Sequence, residues 1–311
     1  MAHPLLAVAR RCHSTDMHQY LPVIARGKHV GHISKTMAEA LKPFLGDTLQ
    51  MEALAPDSRC DGRAPDQAAV ILAPNAKSTE EASSTLATLV SSMVAEGIIS
   101  SASLRHELQD IRPLEQLCLS EPPIAQIERA AMAHFGIPAH AVHINGWVPG
   151  GEDGSTDRMW VGVRSATKST YPGCFDQMVA GGQPSGLSYR ENAEKECSEE
   201  ACVPAELLEP LVPTGQVCYR YASHKGLSTG LLTVYDLALP KDFVPSNSDQ
   251  EVDAFILMTI PDVISSIGSS LERWKPNSAL TVLDFAIRHG HISPDTKGYP
   301  ELCRLTGAGL I

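Results

Sequence analysis

Three carboxylates, Glu196, Glu199 and Glu200, are the strongest chemical feature of this 311-residue chain. On a helix their i, i+3, i+4 spacing points all three from one face. Exposed like charges at that spacing repel by about 0.3 kcal/mol a pair, and by more when half-buried. A hard divalent cation removes the repulsion, and an all-oxygen donor set suits Mg2+ or Mn2+. Such an ion can bridge to substrate phosphates and orient an attacking water. Most Glu-rich helix faces are simply solvated. The glycine-rich stretch immediately upstream argues against that here.

The elements that position these acids are a loop and a helix. Gly181, Gly182 and Gly186 permit positive φ and close backbone approach. Ser188 with Glu191 is a capping box, so the helix is expected to begin near Tyr189. Val203-Pro204 ends it near Cys202. Ala193, Cys197 and Ala201 give it a small apolar stripe for a core.

The order Gly181-Gly182, a short loop, then Lys195-Glu196-Cys197-Ser198-Glu199-Glu200 resembles the Nudix box of the Nudix hydrolases. Gly181 takes the box's first glycine, Glu196 the first helix acid, Glu199 and Glu200 the paired acids, and Val203 the final apolar position. Three positions depart from the pattern. Leu187 replaces the loop glutamate, Lys195 the arginine, and Cys202 the last glycine. Lysine keeps the charge but loses the bidentate fork. The three helix acids that the family uses for metal are intact.

Trp160 to Gly182, Asp249 to Phe255, the late Lys275 to Gly290 and the N-terminal region are similar to one Nudix subfamily, from about Leu5 to Leu302. Its members carry an extra N-terminal domain and a thiamine pyrophosphokinase-related label. The resemblance implies Mg2+-dependent hydrolysis of thiamine diphosphate, or of its oxidised or damaged analogues, to monophosphates. It implies a Nudix α/β/α sandwich with a mixed sheet over residues 139–311, preceded by a smaller α+β domain over residues 1–138.

Composition bounds the partners. Hydrophobic content of 43% and charged content of 20% are those of an ordinary globular chain, and no apolar run is long enough to span a membrane. A net charge of -11 excludes nucleic acid as a main partner. Eight scattered cysteines without a CxxC pair read as reduced thiols, and twelve histidines form no zinc motif. Arg10 and Arg11, with no acid before Asp16, superficially suit a mitochondrial transit peptide. The resemblance starts inside that segment, which favours a structural helix and a cytoplasmic address. Monomer and homodimer are both left open.

Along the chain, a helix is expected over Leu5–Ala9, and two strands within Leu21–Ile33 around Gly27. A Thr36–Glu39 box should open a helix, Cys60–Gln67 reads as a polar turn, and Ala68–Leu72 as a strand. Ser78 with Glu81 opens a long helix ended by Gly97. Leu104–Ile111 reads as helical, and Pro122-Pro123 as the start of a helix bearing Ile124, Ile127, Ala131 and Phe135, capped by Gly136. Strands are expected at Val142–Val148, Arg158–Val163, Cys174–Ala180, Gly215–Ala222, Leu231–Leu239 and Ala254–Ile260. Two final helices follow, over Pro261–Leu271 and Asn277–His289.

Arg164 and Lys168 flank a turn where cations could meet a diphosphate. Glu251 stands where Nudix enzymes often carry an acid assisting metal or water. Trp147 and Trp160 could stack on an aromatic ring, though core packing is the better reading. Cys197 lies among carboxylates, which raise a thiol pKa, and is rejected as a nucleophile. The leading reading is a Nudix diphosphohydrolase acting on a small-molecule diphosphate. Glu196, Glu199 and Glu200 would hold Mg2+ (or Mn2+), one of them or Glu251 would activate water, Gly181 and Gly182 would shape the loop, and Lys195 would orient the acids. Its rivals are a pyrophosphatase of nucleoside diphosphate derivatives, a non-catalytic Nudix-fold binding module motivated by Leu187 and Cys202, and a diphosphate isomerase using Cys174.

Overall fold

The computed structural model describes residues 3–307, except 54–67, 116–120, 153, 169, 249 and 271. The turn expected over Cys60–Gln67 therefore lies outside the described residues, as do Cys118 and Asp249.

Helix α1 (Pro4–Arg11) starts at His3, with Pro4 in the first helical position. Strands β1 (Tyr20–Ala25) and β2 (Lys28–Ser34) form a hairpin around Arg26-Gly27, both at positive φ. Helix α2 (Lys35–Ala40) is capped by Ser34, whose hydroxyl accepts the Met37 N–H, so it opens two residues ahead of the Thr36 box. Strands β3 (Leu49–Ala53) and β4 (Ala68–Leu72) complete a sheet in the order β2-β1-β4-β3, with β1 and β4 parallel. Helix α3 (Thr79–Ala95) shares its core, burying Leu86, Leu89 and Met93 completely.

Two expected helices are replaced by a hairpin. The first stretch carries β5 (Leu108–Ile111), after a 3-10 turn at Ser101–Ser103 that precedes it, and the second carries β6 (Ala125–Glu128), its antiparallel partner. In β6 Ala125 and Ile127 point inward, a period of two. Over four residues that alternation leaves nearly the same letters as a helical stripe, and Pro122-Pro123 precede a strand instead of opening a helix. Only α4 (Met132–Phe135) is helical, closed by Gly136 at φ 55 as expected.

The second half is built on seven strands: β7 (Ala139–Val148), β8 (Arg158–Arg164), β9 (Phe175–Asp176), β10 (Val179–Gly182), then, after helix α5 (Tyr189–Ala201), β11 (Val212–Ser223), β12 (Gly226–Ala238) and β13 (Val252–Thr259). The main path runs β11-β12-β7-β8-β13, with β10 on β7 and β9 on β8. Only β12 and β7 are parallel, so the sheet is mixed. Helices α6 (Ile260–Ser269), α7 (Pro276–Arg288) and α8 (Tyr299–Thr306) follow, the last not foreseen from sequence.

Strand alternation sorts the sheet's side chains into two cores. Met159 and Val161 face α6, α7 and α8, whereas Trp160 faces α5. The result is the α/β/α sandwich, preceded by a smaller α+β region. Helix α1 crosses that division. Its Leu5, Leu6 and Val8 are buried in the core of α6–α8, worth roughly 1.5–3 kcal/mol each. Arg10 adds a bidentate pair with Glu301 at 2.7 and 2.8 Å.

Candidate active site

Helix α5 begins where the capping box places it. The Ser188 hydroxyl accepts the Glu191 N–H at 3.2 Å, and the Glu191 carboxylate accepts the Ser188 N–H at 2.9 Å. Ala193, Cys197 and Ala201 are fully buried against the sheet. At its C-terminus Cys202 takes the left-handed conformation, φ 48 and ψ 40, that glycine adopts most cheaply. The loop leading to Glu251 is tied to this end. The Ser248 hydroxyl donates to the Glu199 carbonyl at 2.5 Å and the Ser246 N–H to the Ala201 carbonyl at 3.2 Å.

The two glycines of β10 are needed for close approach and not for unusual φ, because only Gly186 of the loop has positive φ. A Cβ on Gly181 would sit 2.2 Å from the Glu196 carboxyl carbon. A Cβ on Gly182 would sit 2.8 Å from the Arg129 guanidinium. Asn192 of α5 fixes the strand by donating to the Gly182 carbonyl at 2.9 Å.

The helix acids divide into an inner pair and an outer member. Glu200 is 7% exposed and accepts the Ala180 N–H at 2.8 Å. Burial pushes its carboxyl up to about 8 despite that bond, with the Glu196, Asp176 and Glu251 charges adding to the rise. Glu196 is also raised by burial, against the opposing charge of Lys195. Glu199 lies on the outer side, where the Lys195 ammonium reaches it at 2.7 Å and Glu196 at 3.3 Å. Lys195 therefore joins the inner and outer acids. Glu251 shares a small cavity with Glu200, Ala180 and Asp176, and pairs with Lys168 at 2.5 Å.

Among the described residues no three His, Cys, Asp or Glu side chains stand at metal-binding spacing. The chemistry nevertheless fits a divalent ion. A buried carboxyl held protonated by burial and by neighbouring carboxylates becomes a stable anion only beside a cation, and every donor here is a hard oxygen.

Arg164 lines the same cavity as Glu200 and Glu251. Its guanidinium is buried, bonded to Asp176 at 2.7 Å and to the Thr170 and Tyr171 carbonyls, so its donors are spent inside the fold. Asp176 is the hub of that network, with Lys275 at 2.9 Å and a bond from the Ser278 hydroxyl. Burial alone would raise Asp176, but Lys275 and Arg164 outweigh it and hold the carboxyl well below the usual range. His143, bonded to Gln177 at 2.6 Å, lies beneath it. No motif marks Asp176, which sits in a two-residue strand, so sequence reasoning missed it. Arg129 was missed for a different reason: it follows a strand read as a helix, in a region assigned no chemistry.

Trp160 is core, as is most of Trp147, packed on Phe285 and His289. Burial drives the Cys197 thiol up, consistent with its rejection as a nucleophile. The Cys174 thiol is raised as well, mainly by burial, and points to the Glu272 carbonyl, which removes the support for the isomerase reading.

Residues 4–139 match a family described as a domain of unknown function, DUF4743. Over 295 residues the chain is 35% identical to Nudix hydrolase 20, chloroplastic, of Arabidopsis thaliana, covering 94% of this chain and 74% of that one. The chain belongs to the Nudix hydrolases. It is 38% identical to Nudix hydrolase 24, chloroplastic, of the same plant over 225 residues, covering 72% of this chain and 59% of that one. Among solved structures, DR0079 from Deinococcus radiodurans is 22% identical with a TM-score of 0.40, over 57% of this chain and 97% of that one. As a Nudix hydrolase the chain acts on diphosphate anhydrides.

Proposed function

We propose that this Nudix hydrolase converts thiamine diphosphate, or an oxidised or damaged analogue of it, to the monophosphate and phosphate, using Mg2+ with Mn2+ as a substitute. Glu196, Glu199 and Glu200 would hold the ion, which supplies charge neutralisation at the diphosphate and lowers the pKa of water. Glu251, beside Glu200 in one cavity, is positioned to take the proton of an attacking water. Lys168 lies at that acid as a cation for the diphosphate. Residues 139–311 carry this chemistry, and residues 1–138 form the accompanying domain apart from α1. The cytoplasmic address belongs to the same reading, supported by cysteines free among the described residues.

The observation that carries the reading is the Glu196–Glu200 pair, Glu200 buried and Glu196 half-buried against strand β10, with no room for a side chain at Gly181. The departures at Leu187 and Cys202 leave that pair untouched. Cys202 takes the glycine-like geometry, and the Leu187 carbonyl accepts from Gln183 at 2.7 Å, which favours turnover over a silent binding module. The test is phosphate release from thiamine diphosphate, oxidised analogues, nucleoside diphosphates and nucleotide sugars, with Mg2+ or chelator. Metal-dependent release from the thiamine compounds supports the reading. Release from nucleotides alone moves the substrate to the nucleoside class, and no release makes the chain a binding module.

A further inference from the structure

The β5–β6 hairpin belongs to the residues matched by the family of unknown function, yet it is fastened to the glycine loop of the second half. The Gln126 amide donates to the Ser185 hydroxyl, and the Ser185 N–H to the Leu108 carbonyl at 3.4 Å. Between them the hairpin and the loop enclose a cleft of about 640 Å³. Arg129, the residue after β6, is fixed at its backbone. Its N–H donates to the Glu107 carbonyl at 2.9 Å, and the following N–H, of Ala130, donates to the Glu128 carboxylate at 3.1 Å. The Arg129 side chain then reaches out of its own region to lie over Gly182. A Cβ added there would sit 2.8 Å from both Cζ and Nη1 and 3.0 Å from Nη2.

Strand β10 relates this guanidinium to the carboxylates. Successive residues of a strand face opposite ways, so Gly181 turns toward Glu196 and Gly182 toward Arg129. One edge of β10 pairs with β7. Along the other edge Glu200 accepts the Ala180 N–H, and Asn192 donates to the Gly182 carbonyl. Ala180 to Gly182 covers about 7 Å of strand, a span comparable with the length of a diphosphate. A diphosphate along that edge has the inner acids at one end and the guanidinium at the other.

Charge points the same way. Lys195 is bonded to Glu196 and Glu199, Lys168 to Glu251, and Arg164 and Lys275 to Asp176, so these four cations are balanced by carboxylates of the second half. The Arg129 side chain is 41% exposed and meets Glu107 through Nη1 at 2.9 Å. Its Nε and Nη2 have no partner among the described residues, which leaves one side of the fork for a phosphate.

We infer that Arg129 is a diphosphate-binding residue, so that the first half of the chain completes the active site of the second. Glu107 holds the guanidinium in place from behind. The inference rests on the reading above that the scissile diphosphate lies at Glu196 and Glu200.

The test is calorimetry of methylene diphosphonate, a diphosphate mimic with no organic group, in the presence of Mg2+. Wild type is compared with Arg129→Gln, Arg129→Lys and Glu107→Gln, and Mn2+ affinity is measured on each by electron paramagnetic resonance. Arg129→Gln is expected to weaken the diphosphonate at least about tenfold, and Arg129→Lys by less, because lysine keeps the charge and loses the fork. Glu107→Gln should bind it as tightly as wild type or tighter, and Mn2+ affinity should stay unchanged in all three variants. Equal diphosphonate affinity in wild type and Arg129→Gln overturns the inference and leaves the proposed function standing. Equal losses in Arg129→Gln and Glu107→Gln, or a loss of Mn2+ with either, also overturn it, since the pair is then a latch that shapes the loop. A wild type that binds Mn2+ but no diphosphonate sinks the placement of the diphosphate at these acids, and the arginine's role with it.

Discussion

Helix α5 and the β5–β6 hairpin are specified in opposite ways. The helix is fixed locally: a reciprocal cap at Ser188–Glu191, a buried small-residue stripe and a left-handed end at Cys202 all lie within its own segment. The hairpin is fixed from outside. Its two strands are four residues each, thirteen residues of chain separate them, and α3 and the glycine loop hold them. Chemistry that tolerates little displacement sits on the self-specified element, whereas recognition falls to the element placed by its neighbours.

That division can be broken by substitution. Glu196→Gln is expected to lower kcat roughly 10³-fold for every diphosphate tested, while raising thermal stability by removing a buried carboxylate. Steady-state kinetics with a melting curve checks both. Arg129→Ala, at the hairpin's end, is expected to raise KM about tenfold with kcat changed less than about threefold. An equal loss of kcat would place the arginine in the chemistry and erase the distinction.

Strand β7 runs between the two elements and supplies a pH test. Burial lowers both His140 and His143 to about 4 from 6.5. The unfolded chain therefore takes up these protons first on acidification. Their contribution to stability is complete above pH 6.5 and is lost as pH falls toward 4. Urea midpoints across that window should decline, and His143→Gln should flatten the decline. The smallest effect expected is at the helix end. Cys202→Gly relieves a left-handed non-glycine residue and should raise stability by about 0.5 kcal/mol, after the entropy of the freer unfolded chain is subtracted.

The same contrast explains what could be read from residues alone. Helix α5, α3 and the β1–β2 hairpin carry their own start and stop signals, and their expected limits lie within about two residues of those found. Hairpin β5–β6 was read as two helices because strands this short do not separate a period of two from one of three or four. The acids of α5 were legible from spacing, but their division into a buried pair and an outer Glu199 depends on which face the sheet covers. The pairing of Arg164 with Asp176, twelve residues on, left no sign in the sequence. Asp176, Arg129 and the cleft exist only once strands distant in sequence are paired.

Binding of Mn2+ followed by electron paramagnetic resonance, in wild type, Glu196→Gln and Glu200→Gln, tests the central claim without relying on turnover. If the inner carboxylates are the metal site, each substitution weakens Mn2+ affinity at least about tenfold while the fold is retained. Equal affinity in all three proteins would contradict the account and remove metal from the glycine loop and its helix.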